Sequence, residues 1–159
     1  MNRLMLSIVV GGFLLTGCSD LMPLNNTPPS YIKRVTAYKE GSDGLFIYIV
    51  LADDTGAMTT AVGTLELEIS ETSHGFSRHG GMAKQNIPLF STRIAIRRAS
   101  FRRSKVGLGA FEHEVIMFSV GRIAYSSFSK RPSEMTGKAQ VTFVTEDGRS
   151  LKGEETIIF

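Results

Sequence analysis

The 159-residue chain has no tryptophan and one cysteine, Cys18. A lone cysteine cannot close an intramolecular disulfide, so no disulfide framework substitutes for a hydrophobic core. No apolar run approaches the roughly 20 residues that a helix needs to cross a hydrocarbon layer. The longest stretch is Leu4–Leu15, broken only by Ser7, Gly11 and Gly12. Catalytic signatures are missing too. There is no Gly-x-Ser-x-Gly turn to hold a nucleophile, and Gly107-Leu108-Gly109 lacks the further glycine and the strand-to-helix setting of a phosphate loop. Acidic residues are absent between Glu71 and Glu112.

What is present begins with an address. Asn2 and Arg3 form a short, singly charged leader, the apolar core follows, and small residues close it. This is the layout of a cleaved secretory signal. The core ends in Leu15-Thr16-Gly17-Cys18, which resembles the lipobox of bacterial lipoproteins. The resemblance implies that Cys18 receives a diacylglyceryl group on its sulfur and becomes the mature N-terminus. Residues 1–17 are then the signal peptide, and a leftover thiol in an oxidising compartment is accounted for. Two or three acyl chains, at about 0.8 kcal/mol per buried CH₂, anchor stably where one would not. In lipoproteins of this kind an Asp directly after the cysteine favours inner-membrane retention. Here that place holds Ser19, with Asp20 one later, so the expected location is the outer membrane of a Gram-negative cell, facing the periplasm.

Arg3 departs with the signal, so of the 18 basic residues 17 remain against 15 acidic ones. So small an excess is no nucleic-acid signature. The mature length suits one domain. Residues 18–30 carry Pro23, Pro28 and Pro29 among asparagines and read as an extended lipidated tether. Residues 31–159 read as strands. Tyr31–Tyr38 is aromatic and β-branched, Leu45–Leu51 is a continuous apolar run suited to a strand covered on both faces, and Leu65, Leu67 and Ile69 alternate with Thr64, Glu66 and Glu68. Asp53-Asp54-Thr55-Gly56 is a turn. Ser70–Asn86, polar and glycine-containing, reads as a long loop. Apolar content resumes at Ile87–Ile96 and again at Glu114–Tyr125, where Gly121 marks a strand end or a bulge. Around Glu146-Asp147-Gly148 a hairpin is expected. A two-residue Asp-Gly turn would set Phe143 opposite Lys152, whereas a three-residue loop with left-handed Gly148 sets Phe143 opposite Leu151 and sorts the faces.

Short strands with turns between them and no helical pattern predict an all-β fold, a single antiparallel β-sandwich. The order of core strand, Asp/Gly turn, alternating Leu-Glu-Leu strand and final hairpin is similar to immunoglobulin-like or transthyretin-like modules of bacterial envelope proteins, without the Cys-Trp-Cys pattern of true immunoglobulin domains. Outer-membrane lipoproteins of type VI secretion also pair a lipobox with a transthyretin-like sandwich, though no specific signature of theirs is read here.

Two features could carry function. Arg93, Arg97, Arg98, Arg102, Arg103 and Lys105 fall within thirteen positions, a cluster able to attract anionic lipid or glycan, or an acidic protein face. The bland reading is a solvated strand edge, where charge discourages aggregation. His74 and His79 flank a glycine-rich loop and could supply half a metal site, while His113 lies between Glu112 and Glu114. No ligand set for a metal or cofactor, and no catalytic constellation, is read. The leading expectation is a lipid-anchored, non-catalytic binding or structural module of the cell envelope, with a membrane partner through its N-terminal lipid and no nucleic acid. The alternatives are an assembly component of an envelope secretion complex, docking through a sheet edge or the basic segment, and a metal-binding envelope enzyme starting from His74 and His79.

Overall fold

A computed structural model of the chain describes residues 24–76, 82–106 and 112–159. Nine strands form there: β1 (Tyr31–Lys39), β2 (Gly44–Ala52), β3 (Met58–Thr59), β4 (Gly63–Phe76), β5 (Met82–Ile96), β6 (Phe101–Val106), β7 (His113–Ala124), β8 (Thr136–Thr145) and β9 (Ser150–Ile158). All pairings are antiparallel. One sheet runs β1-β2-β7-β6 with β3 added to β2, and the other runs β5-β4-β8-β9. The protein is an all-β sandwich, as the strand pattern predicts. Among the described residues the only helical pieces are single 3₁₀ turns at Arg98–Ser100 and Tyr125–Ser127.

The alternating patterns sort as expected. Leu45, Ile47, Ile49 and Leu51 of β2 point inward, and Leu65, Leu67 and Ile69 of β4 join Ala139, Val141 and Phe143 of β8 in the same core. Each fully buried side chain of this size contributes about 1.5–3 kcal/mol relative to exposure. Tyr48 and Val50, on the other face of β2, are also buried, which accounts for the unbroken apolar run. Gly121, at φ +87°, sits where the β2–β7 register shifts, so the strand bulges there and continues. The last hairpin adopts the three-residue loop. Phe143 faces Leu151, Thr142 faces Lys152, and Gly148 has φ +83°.

Most of Ser70–Asn86, expected as a long loop, is strand; residues 77–81 lie outside the described residues. β4 runs on to Phe76 and pairs back through Met82–Ile87 of β5, while β8 stops accompanying it at Gly137 opposite Glu71. The result is a two-stranded arm standing beyond the sandwich. Thr72 at its base is buried, but His74, Gly75 and residues 83–86 are exposed on both faces, so they need no hydrophobic alternation, and strand periodicity is invisible in them.

The registers give the sandwich two ends. At one lie the β2–β3 turn, the β8–β9 turn and the corner where β5 passes into β6. The β6–β7 pair, ending at Val106 opposite His113, continues past that end. At the opposite end lie the β1–β2 turn, the β4–β5 arm and the β7–β8 connection. β1 packs on β9 and draws the sheets together along one side, whereas β5 and β6 are outer strands.

Candidate functional site

Residues 24–29 do not behave as a free tether. Leu24 packs against the core. The Asn25 carbonyl accepts from Thr60 N at 3.0 Å and from the Thr59 and Thr60 hydroxyls. Its side-chain amide donates to Asp53 Oδ2 at 3.1 Å. Asp53, itself buried, organises the turn that sequence analysis places here: its Oδ1 accepts from Thr55 N, Thr55 Oγ1 and Ala57 N at 3.0, 2.6 and 3.0 Å. These bonds, from Thr55 Oγ1 above all, hold the carboxyl below its usual range against the opposing effect of desolvation. The expected tether 18–30 therefore ends short, since its last residues belong to the folded body. Replacing Asn25 with alanine removes the donor to Asp53 and the acceptor for Thr27 N. Faster hydrogen exchange at the Thr60 amide, with the β4–β8 amides unchanged, is the expected result.

The six basic residues read as one cluster are divided by the fold. Arg93 lies on the outer face of the second sheet, opposite Glu66 in register and 3.4 Å from its carboxylate. This is the neutralising neighbour that the Glu66–Glu68 stripe invites. Arg103 pairs with Glu114 at 2.6 Å, and Lys105 stands opposite Glu114 across the ladder. Arg102 donates to the carbonyls of Ala99 and Phe101. Arg97, Arg98 and Arg102 are exposed at the β5–β6 corner, with no carboxylate in ion-pair range among the described residues. Arg98 also lines a cavity of about 190 Å3 together with Pro28, Pro29, Thr60, Thr145 and Arg149. The corner and the N-terminal segment thus share one end of the sandwich. Arg149 is held by Asp147 at 2.8 Å.

The larger concavity, about 840 Å3, lies over the outer face of the second sheet. Register sets two rows across its four strands: Ser91, Glu68, Gln140, Glu154, and Arg93, Glu66, Thr142, Lys152. No aromatic ring lines it, and its charges are of both signs, as on an ordinary solvated face.

The two histidines among the described residues, His74 and His113, do not converge. His74 is exposed on the arm and His113 begins β7 at the opposite end; His79 lies outside the described residues. Among the described residues no three His, Cys, Asp or Glu side chains could hold one metal ion. Cys18 also lies outside the described residues.

One node escapes sequence analysis. Glu71 continues the inward parity of Leu65, Leu67 and Ile69, and is wholly buried. Its carboxylate accepts from Lys130 Nζ, from Ser133 N at 2.8 Å and Ser133 Oγ at 3.1 Å, and from Glu134 N at 3.3 Å. The Lys130 bond is the main reason that its pKa falls from 4.5 to about 2, with the Ser133 and Glu134 donors adding to it and burial opposing. This side chain fastens the β7–β8 connection, whose Phe128 packs with Phe90, Tyr125 and Phe159 over the sandwich end. The available signal was an acid at an inward position of an alternating strand.

No protein-family model matches the chain, and no curated protein matches it.

Proposed function

We propose that the protein is a lipid-anchored binding or structural module of the bacterial cell envelope, attached through Cys18 and without catalysis of its own. The observation that carries this reading is Leu15-Thr16-Gly17-Cys18 at the end of an apolar signal core, in a chain with no other cysteine. The docking of Leu24 and Asn25 onto the sandwich supports it, because an anchored domain is steadier when its chain leaves from a fixed point. The expected place is the outer membrane, facing the periplasm. Cys18→Ser removes the sulfur that takes the lipid. Metabolic labelling with palmitate should vanish and the protein should move from the membrane pellet to the soluble fraction. Unchanged sedimentation with membranes would overturn the assignment.

A further inference from the structure

The clamp on the N-terminal segment and the arginines of the β5–β6 corner, which have no carboxylate partner among the described residues, lie at one end of the sandwich. Asn25 is tied to Asp53, Thr59 and Thr60, and Pro28 and Pro29 share a cavity with Arg98. Cys18 precedes Leu24 by six residues, which span at most about 20 Å fully extended. A sandwich of this size has a radius of gyration of about 14 Å, so so short a link holds the clamped end next to the surface that carries the lipid. The opposite end, with the β4–β5 arm, stands outward.

We infer that the β5–β6 corner, through Arg97, Arg98 and Arg102, is a contact surface for anionic phospholipid headgroups, and that it holds the sandwich upright on the membrane bearing its anchor. This rests on lipidation at Cys18. The three residues are exposed; of the acids at this end, Glu114 and Asp147 have partners in Arg103 and Arg149, and the exposed Glu146, which lines the Arg98 cavity, leaves the three arginines in excess over it. A negatively charged surface attracts cations within about 8–10 Å, the Debye length near physiological salt. The short link brings the corner into that range. Guanidinium groups also bind phosphate through paired N–H donors, a geometry that lysine lacks. Arg93, turned to the outer face of the second sheet, takes no part.

The test uses the full chain, lipidated and reconstituted into vesicles. Acylation consumes the Cys18 sulfur, so Ala99→Cys at the corner or Ala83→Cys on the arm offers one free thiol for a fluorophore. Quenching by a headgroup-labelled lipid then reports which end faces the bilayer. In phosphatidylglycerol vesicles the label at 99 should be quenched well above the label at 83. The difference should shrink in phosphatidylcholine and in high salt. Arg97→Gln with Arg98→Gln, two side chains without bonds to the fold, should lower the ratio of docked to undocked protein about fivefold per arginine. Equal quenching at 99 and 83 would overturn the orientation. Quenching at 99 that ignores lipid charge, salt and both substitutions would overturn the headgroup contact and point instead to an acidic protein partner for these arginines. Mass spectrometry of the reconstituted protein separates a different failure: without acyl mass on Cys18, the anchor itself is wrong, and the orientation falls with it.

Discussion

Glu71→Ala lowers the unfolding free energy by about 2–3 kcal/mol, a loss set by charge-assisted hydrogen bonds that no neighbour can replace. The Ser133 and Glu134 amides and the Ser133 hydroxyl lose their acceptor beside the core, whereas Lys130, half-exposed, recovers water and limits the cost. For a domain of this size, Tm should fall by about 5–10 °C. The pH dependence follows from the sign of the shift. The folded carboxyl titrates near 2 and its ordinary value is 4.5, so the unfolded chain takes up the proton first as pH falls. The stabilisation is complete above pH 4.5, declines between 4.5 and 2, and is gone below that window. Asp53 and Asp147, also held low by hydrogen bonds from Thr55 and Thr145 respectively, act in the same direction. The informative quantity is therefore the difference between wild type and Glu71→Gln in denaturant titrations at several pH values. That difference should narrow on acidification. A constant difference would mean that the carboxylate charge does not hold the connection.

Phe143→Ala should cost about 3–5 kcal/mol, the range for emptying a buried aromatic site. Phe143 is fully buried and is held between Leu65 of β4 and Leu151 of β9 by the backbone ladders. Strands pinned on both sides cannot close on the void, so relaxation recovers little. The urea midpoint should drop with the slope unchanged. A conservative Phe143→Leu should cost less, about 1–2 kcal/mol, because most of the volume remains. A loss under 1 kcal/mol for alanine would contradict the packing of the two sheets around β8 described above.

Which parts of this were legible beforehand depends on how each residue's surroundings enter the chain. The strands of the core announce themselves locally, since a strand with one wet face must alternate and one covered on both faces must be apolar throughout: β4 from Leu65 to Ile69 and β2 from Leu45 to Leu51 are these two cases. The last hairpin was legible because only one loop length puts Phe143 and Leu151 on the same face. The β4–β5 arm left no such mark. β8 stops at its base, and beyond Thr72 its described side chains are exposed or only partly buried, so no buried face imposes alternation.

The sequence by itself determined the all-β content, the inward positions of the central strands, the turns at Asp53–Gly56 and Glu146–Gly148, and the expectation of an anchor at Cys18, because each rests on neighbours a few residues apart. Only the tertiary structure decided what the basic segment becomes. Six cations close in sequence were parted by strand alternation and a corner: Arg93 went to Glu66 and Arg103 to Glu114, and Arg97, Arg98 and Arg102 were left facing outward. It alone brought Asn25 to Thr59 and Asp53, and Glu71 to Lys130 and Ser133. Pairings across roughly 30 to 60 residues depend on how whole sheets stack, and loop closure over such distances is chosen by the core and not by the partners themselves.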